Sequence, residues 1–362
     1  MSWLPQKTET GNHLKGSIML HISAPLLAWF YENRRSLPFR DDPTPYHIWV
    51  SEVMLQQTRM SAVLPYYARF MEEYPTPAAL AASDPDRLHR IWEGLGYYSR
   101  ADNLRRAAIV ITEQYGGDLP RTYEELLALP GIGEYTAGAI ASISMNIPAP
   151  AVDGNVLRVF SRLYNDRADI LHPYTKRRVT AQVMEEMPSD TPGDFNQALM
   201  ELGALVCVPG QPQCDNCPLR HLCGAAAAGT AAALPFRAPK KPRRVEEITV
   251  LLIRSEAGWL LTKREEKGLL AGLWQPLTLT DFSSGTAEAA LAAIFPEAEI
   301  RNAQPLAPSK HLFTHIEWRM SGWLIELAGT PQAPENCVWA APGDMDSYAI
   351  PSAFRAYKKI LR

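Results

Sequence analysis

Thr122-Tyr-Glu-Glu-Leu-Leu-Ala-Leu-Pro-Gly-Ile-Gly-Glu134 is the stretch whose reading decides the fold. Thr122 followed three residues later by Glu125 is a capping box, which predicts a short helix over Tyr123 to Ala128. Leu129-Pro130-Gly131-Ile132-Gly133 stops that helix, and Glu134 to Ser144 reads as a second one. This is a helix-hairpin-helix pattern. Gly131 and Gly133 are expected to let the backbone turn tightly and bring amide N–H groups near a helix N-terminus, a site for one DNA phosphate without sequence readout. By itself the string fits an ordinary helix–helix turn equally well.

Two acids beyond the hairpin point to chemistry. Asp153 precedes the apolar pattern Val156, Leu157, Val159, Phe160, Leu163, so it stands where the N-cap of a helix belongs. That position favours an ionised carboxylate, and a lowered pKa is expected. Glu52 is the opposite case. On a predicted helix Tyr46 to Gln57 it interrupts an apolar stripe of Ile48, Trp49 and Leu55, and an apolar setting is expected to keep it protonated. One carboxyl held neutral and another held charged is how acid and charge-stabiliser roles divide in glycosidic chemistry. The bland readings are a helix cap for Asp153 and a packed acid with a polar partner for Glu52.

Cys207, Cys214, Cys217 and Cys223 follow at C-x6-C-x2-C-x5-C spacing. Four thiolates this close suit one soft metal centre, and their spacing favours a four-iron four-sulfur cluster. Structural zinc is the rival, but zinc sites set two short hooks apart and only Cys214 and Cys217 form one. Disulfides come third, because no basic start with an apolar core marks a signal peptide. The net charge of −3 gives no global sign of a polyanion partner. No apolar run approaches the ~20 residues that span a bilayer, so a cytosolic protein is expected.

At 362 residues the chain has room for more than one domain. Residues 1–20 read as a loose arm, and residues 21–225 as helix after helix, including Ala24 to Tyr31, Ser61 to Tyr74, Ala101 to Tyr115 and Phe195 to Cys207. Residues 226–245 form a linker ending in Leu234-Pro-Phe-Arg-Ala-Pro-Lys-Lys-Pro-Arg-Arg244, whose prolines resist helix and whose five basic residues suit an extended connector. Residues 246–362 read as a mixed α+β domain with strands at Ile248 to Ile253, Gly258 to Lys263 and Trp318 to Leu327.

The hairpin, Asp153 eighteen residues after Tyr135, and the cysteine loop together resemble the helix-hairpin-helix DNA glycosylase superfamily with an iron-sulfur cluster, over roughly residues 24–223. Ser51-Glu-Val-Met-Leu-Gln-Gln-Thr58, Gly94-Leu-Gly-Tyr-Tyr-Ser-Arg100 and Val152-Asp-Gly-Asn-Val-Leu-Arg158 are similar to the motifs of adenine DNA glycosylases of MutY type. Residues 246–362 resemble the Nudix-like domain that ends that family, with Gly268-Leu-Leu-Ala-Gly-Leu-Trp274 and Tyr348-Ala-Ile-Pro351 as markers. Ala289-Ala-Leu-Ala-Ala-Ile-Phe295 stands where a Nudix hydrolase carries R-E-x2-E-E, so no pyrophosphate hydrolysis is expected.

The resemblance implies a monomeric, monofunctional enzyme that flips and excises adenine mispaired with 8-oxoguanine or guanine in duplex DNA. It implies Glu52 as the acid on the base and Asp153 as stabiliser of the sugar cation, with Asn155 and Tyr135 shaping the site. The base pocket maps to Arg35, Leu37, Phe39 and Gln197, and the residues that enter the stack to Leu55, Gln57 and Tyr97. Phe313-Thr314-His315 maps to the loop that recognises the opposite 8-oxoguanine, and the four cysteines to a 4Fe-4S cluster that positions a DNA-contacting loop. Phe39 stands where many relatives have Trp, and Glu134 where the family usually has Pro.

Two rival readings differ in class. A bifunctional glycosylase and lyase would carry lysine at position 135, whose amine forms a Schiff base with the sugar, and this chain has Tyr135. A DNA-binding protein without catalysis would keep the hairpin and cysteines without needing Glu52 and Asp153.

Overall fold

The computed structural model describes residues 19–239, 242–280, 287–292 and 294–361. Residues 1–18 of the expected N-terminal arm, Lys240 and Lys241 of the linker, and Ala293 lie outside the described residues. Before Arg244 the described residues contain helices and no strands. The predicted helices stand at Ser23–Asn33, Pro45–Leu55, Met60–Glu73, Ser99–Gln114, Tyr123–Ala128, Glu134–Met145, Gly154–Leu163 and Pro192–Leu205. Pro77–Ala81, Pro85–Trp92 and Pro173–Glu186 were not anticipated; each begins on a proline, whose fixed φ suits the first helical turn.

The chain packs into two compact units that do not follow chain order. Among the described residues, one comprises residues 19–48, 121–127 and 132–238. Its core is built by Leu26 and Phe30 of the first helix against Val156, Val159 and Phe160, with Val183, Phe195, Leu199 and Leu202, all at most 2% exposed. Burying this many large apolar side chains, each worth roughly 1.5–3 kcal/mol, makes this cluster the rigid seat of the Gly154–Leu163 helix and the Asp153 cap before it.

The second unit comprises residues 49–120, 128–131 and the described residues from 239 to 361. It holds a sheet of six strands: β1 (Arg244–Ser255), β2 (Gly258–Lys263), β3 (Trp274–Thr280), β4 (Ile300–Leu312), β5 (Ile316–Leu327) and β6 (Cys337–Ala340), in the order β4-β5-β1-β3-β2-β6. Among the described residues only β1 and β5 run parallel; the other pairings are antiparallel. Alternation along β1 sends Ile248, Val250 and Leu252 into one core with Trp318, Met320, Phe354 and Tyr357. It sends Leu251 and Ile253 into another with Ile325, Leu291 and Phe295. Both faces of the sheet are thus covered, by the C-terminal segment and by the Ala287–Ala292 helix.

Three ion pairs tie the sheet domain to the Pro85–Trp92 region of the same unit: Lys263 with Asp86 at 2.9 Å, Arg90 with Asp346 at 3.1 Å, and Lys358 with Glu93.

Candidate active site

In the first unit, Asp153 is the N-cap of Gly154–Leu163, as its place before the apolar pattern predicts. Its Oδ1 accepts from the backbone N–H of Asn155 at 2.9 Å and of Val156 at 2.8 Å, and its Oδ2 accepts from Asn155 Nδ2 at 2.7 Å. The structure corrects the expected direction of its pKa. Burial pushes it above the ordinary carboxylate value, outweighing those three hydrogen bonds and the nearby charge of Arg158. The carboxylate is therefore held by fixed dipoles yet poorly solvated, which is the condition in which a positive charge arriving beside it is most favoured.

Asn155 is itself held. Arg158 Nη2 donates to Asn155 Oδ1 at 2.9 Å and to the Gly203 carbonyl at 2.7 Å, while its Nε donates to the Cys207 carbonyl at 2.7 Å. A Cβ on Gly203 would stand 2.6 Å from Asn155 Cβ, so glycine is what lets the Pro192–Leu205 helix approach the cap this closely. Arg158 was not singled out from the sequence, since its partners lie 3 to 49 residues away and two of them are backbone carbonyls.

The Tyr135 hydroxyl reaches the Met200 thioether at 3.5 Å, one turn along the helix from Gln197. Leu37 and Phe39 are buried, at 3% and 4% exposed. Arg35 is engaged by a residue that sequence reading missed: its Nε and Nη2 donate to Glu201 at 2.6 and 2.9 Å, and Arg40 donates to the same carboxylate at 2.9 Å. Like Glu52, Glu201 is an acid inside an apolar helix, which was the available signal. Burial alone would raise its pKa, but the two guanidinium groups overcome this and pull it down to about 2. A depressed carboxylate pKa contributes stability that is complete above about 4.5 and is lost as the pH falls through about 2. Thermal melts between those limits should fall steeply for the native chain, and Glu201→Gln should flatten that limb.

The four cysteines line one small cavity together with Arg162, Val206 and Arg220. Arg162 Nη1 donates to Cys207 Sγ at 3.2 Å and to the carbonyls of Cys207 and Val208, and its Nη2 donates to that of Gly210. Burial pushes the Cys217 thiol up to about 11 and raises that of Cys223, so without a cation these sulfurs stay protonated. Among the described residues, no group of three or more His, Cys, Asp or Glu is gathered tightly enough for a single metal ion. Four thiols around one cavity are a donor set for a soft metal centre.

In the second unit, Glu52 is 6% exposed on Pro45–Leu55, flanked by Ser51 and Val53 at 0% and 5%. The helix ends at Leu55, and Gln57 follows with a left-handed backbone, φ +58°. Tyr97 is also left-handed, φ +48°, and half exposed. Its hydroxyl lies 3.2 Å from Thr314 Oγ1, which brings two sequence-predicted residues together. Thr314 and His315 are exposed at the turn between β4 and β5, where the Phe313 N–H donates to the Ile316 carbonyl at 2.8 Å. Phe313 packs edge-on to Trp318 with centroids 4.9 Å apart, anchoring that turn to the sheet.

The two hairpin glycines differ. Gly131 has φ +75°, and a Cβ there would meet Asn103 Cβ at 2.4 Å, so this position requires glycine. Gly133 is an extended N-cap, φ −98°, with nothing within 4 Å of a Cβ, which corrects the expectation that both make the tight turn. Arg105 donates to the Ser83 carbonyl, and Arg106 donates to Asn103.

The family described as "HhH-GPD superfamily base excision DNA repair protein" matches residues 50–188, and a NUDIX domain matches residues 249–359. A protein named adenine DNA glycosylase from Rattus norvegicus is 33% identical over 93% of this chain and 76% of its own length. The protein of that name from Homo sapiens is 33% identical over 93% and 72%, and one from Mycolicibacterium smegmatis is 42% identical over 54% and 67%. Among solved structures, a thermostable thymine-DNA glycosylase is similar with a TM-score of 0.52 and 27% identity, covering 57% of this chain and 95% of that one. A non-covalent endonuclease III–DNA complex is similar with a TM-score of 0.50 and 27% identity, covering 58% and 95%.

Proposed function

Because the chain belongs to the adenine DNA glycosylase family and so excises adenine from DNA in base excision repair, we propose that its substrate is adenine mispaired with 8-oxoguanine or guanine in duplex DNA. The observation that carries the chemical reading is the Asp153 carboxylate, poorly solvated and held by three N–H donors. The adenine leaves the stack before reaction, as enzymes acting on bases require. Glu52 donates a proton to the base, at N7, so that the glycosidic electron pair departs on a neutral leaving group. Positive charge then develops on the sugar, and ionised Asp153 stabilises it. Water adds to the sugar carbon, its proton passes to the carboxylate left on Glu52, and an abasic site remains.

Asn155 positions Asp153, and Tyr135 bounds the site. Arg35, Leu37, Phe39 and Gln197 form the base pocket, where the Gln197 amide suits the N6 and N7 edge of adenine. Leu55, Gln57 and Tyr97 fill the vacated stack, and the hairpin around Gly131 and Gly133 takes a phosphate. Phe313, Thr314 and His315 read the opposite base. Support for that reading is the exposure of Thr314 and His315 at a turn pinned by Phe313. Cys207, Cys214, Cys217 and Cys223 hold a 4Fe-4S cluster, and the shared cavity and the Arg162 hydrogen bond to Cys207 Sγ support this. A cluster held there would fix the loop in place; hydrolysis transfers no electron.

Single-turnover release of adenine from duplexes that differ only in the opposite base tests the substrate. Release opposite 8-oxoguanine and guanine should exceed release opposite thymine; equal rates would remove the mispair from the substrate definition. Borohydride in the same reaction should trap no covalent DNA adduct, since a phenol at position 135 forms no Schiff base.

A further inference from the structure

Arg100 is 7% exposed, and no ion pair to an acid is found for it among the described residues. Its fork is aimed at backbone. Nη1 donates to the carbonyls of Val53, Met54 and Gln56 at 2.7, 2.9 and 2.8 Å. Nη2 donates to those of Leu95 and Gly96 at 3.0 and 2.9 Å, and Nε approaches that of Tyr97 at 3.4 Å. The guanidinium lies 5.3 Å from the ring of Trp92, which is fully buried and whose own Nε1 donates to the Gly96 carbonyl at 3.1 Å.

One cation thus ties two chain segments that lie about 40 residues apart. The first is the C-terminal turn of Pro45–Leu55, whose last carbonyls have no partner within the helix and carry its negative end. Immediately after the Gln56 carbonyl and the Gly96 carbonyl, one bound in each segment, stands a non-glycine residue in the left-handed region, Gln57 and Tyr97. Side chains adopt that backbone rarely, and both residues are exposed. A planar fork with five N–H donors can hold this many carbonyls at fixed spacing, which an ammonium cannot.

We propose that Arg100 is a positioning residue for base extrusion: it locks the Gln57 and Tyr97 backbones in the conformation that presents both side chains to the duplex. The proposal rests on the reading given above for Gln57 and Tyr97. Arg100 touches no substrate; it acts through the two loops.

The test compares the native chain with Arg100→Lys on two duplexes, one with adenine opposite 8-oxoguanine and one with adenine opposite an abasic site, where no pairing holds the base in the stack. Single-turnover release from the paired duplex should slow at least ~10-fold, and release from the unpaired one should stay within about threefold. Equal slowing on both duplexes would make Arg100 a general structural pin and overturn the proposal, as would unchanged release from the paired one. Arg100→Gln, which leaves no buried charge, is the second variant should the lysine not fold. Loss of the cooperative thermal transition in both would also overturn it. Native chain that releases adenine from neither duplex would sink the functional reading first, a result that needs no substitution to see.

Discussion

Glu52→Gln is expected to lower single-turnover release of adenine by ~10²–10⁴-fold while leaving duplex affinity nearly unchanged. The amide has the shape of the acid and no proton to give, so the base would depart as an anion. Affinity comes mainly from phosphate contacts, and a side chain 6% exposed within a helix makes few of those. Because the substitution replaces a buried acid by a neutral isostere, thermal stability should hold. Retained turnover in the variant would take Glu52 out of the acid role.

Asp153→Asn separates the two duties of that residue. Asparagine is as good an N-cap as aspartate, so the Gly154–Leu163 helix and the melting temperature should be little changed. The negative charge is gone, and release should fall ~10²–10³-fold, as when one preorganised stabiliser of a charged transition state is removed. Asp153→Ala should in addition cost ~1 kcal/mol of stability through the lost cap. The raised pKa gives the native enzyme a further signature. Asp153 must be ionised to stabilise the sugar cation, so release should fall with decreasing pH along a limb that lies above the ordinary value of 3.8. A variant at position 153 with full activity, or a native limb at or below that value, would contradict the assignment.

Helical periodicity made eight helices between Ser23 and Leu205 legible, because apolar stripes recur every three to four residues and caps mark their starts. β1, β2 and β5 were legible from β-branched and aromatic runs. β4 was not: Pro305 and Pro308 interrupt it, it lies at the sheet edge with a register shift, and much of its surface is exposed, so alternation is weak. Glu52 and Asp153 stand out in the sequence because each breaks a local pattern, Glu52 in an apolar stripe and Asp153 ahead of one. Arg100 and Arg158 could not, because a charged residue on a helix looks like a solvated face until the distant carbonyls it meets are known.

Interleaved packing has a practical consequence for dissecting the protein. Cutting in the linker would yield an N-terminal fragment that looks complete by chain order, yet residues 49–120 would lose the partner with which they pack. Asp86, Arg90 and Glu93 would be stripped of Lys263, Asp346 and Lys358 at a stroke, and Tyr97 of the hydroxyl it meets on Thr314. A weak or inactive fragment would therefore be ambiguous evidence about which residues carry adenine excision, and point substitutions in the intact polypeptide are the sounder instrument.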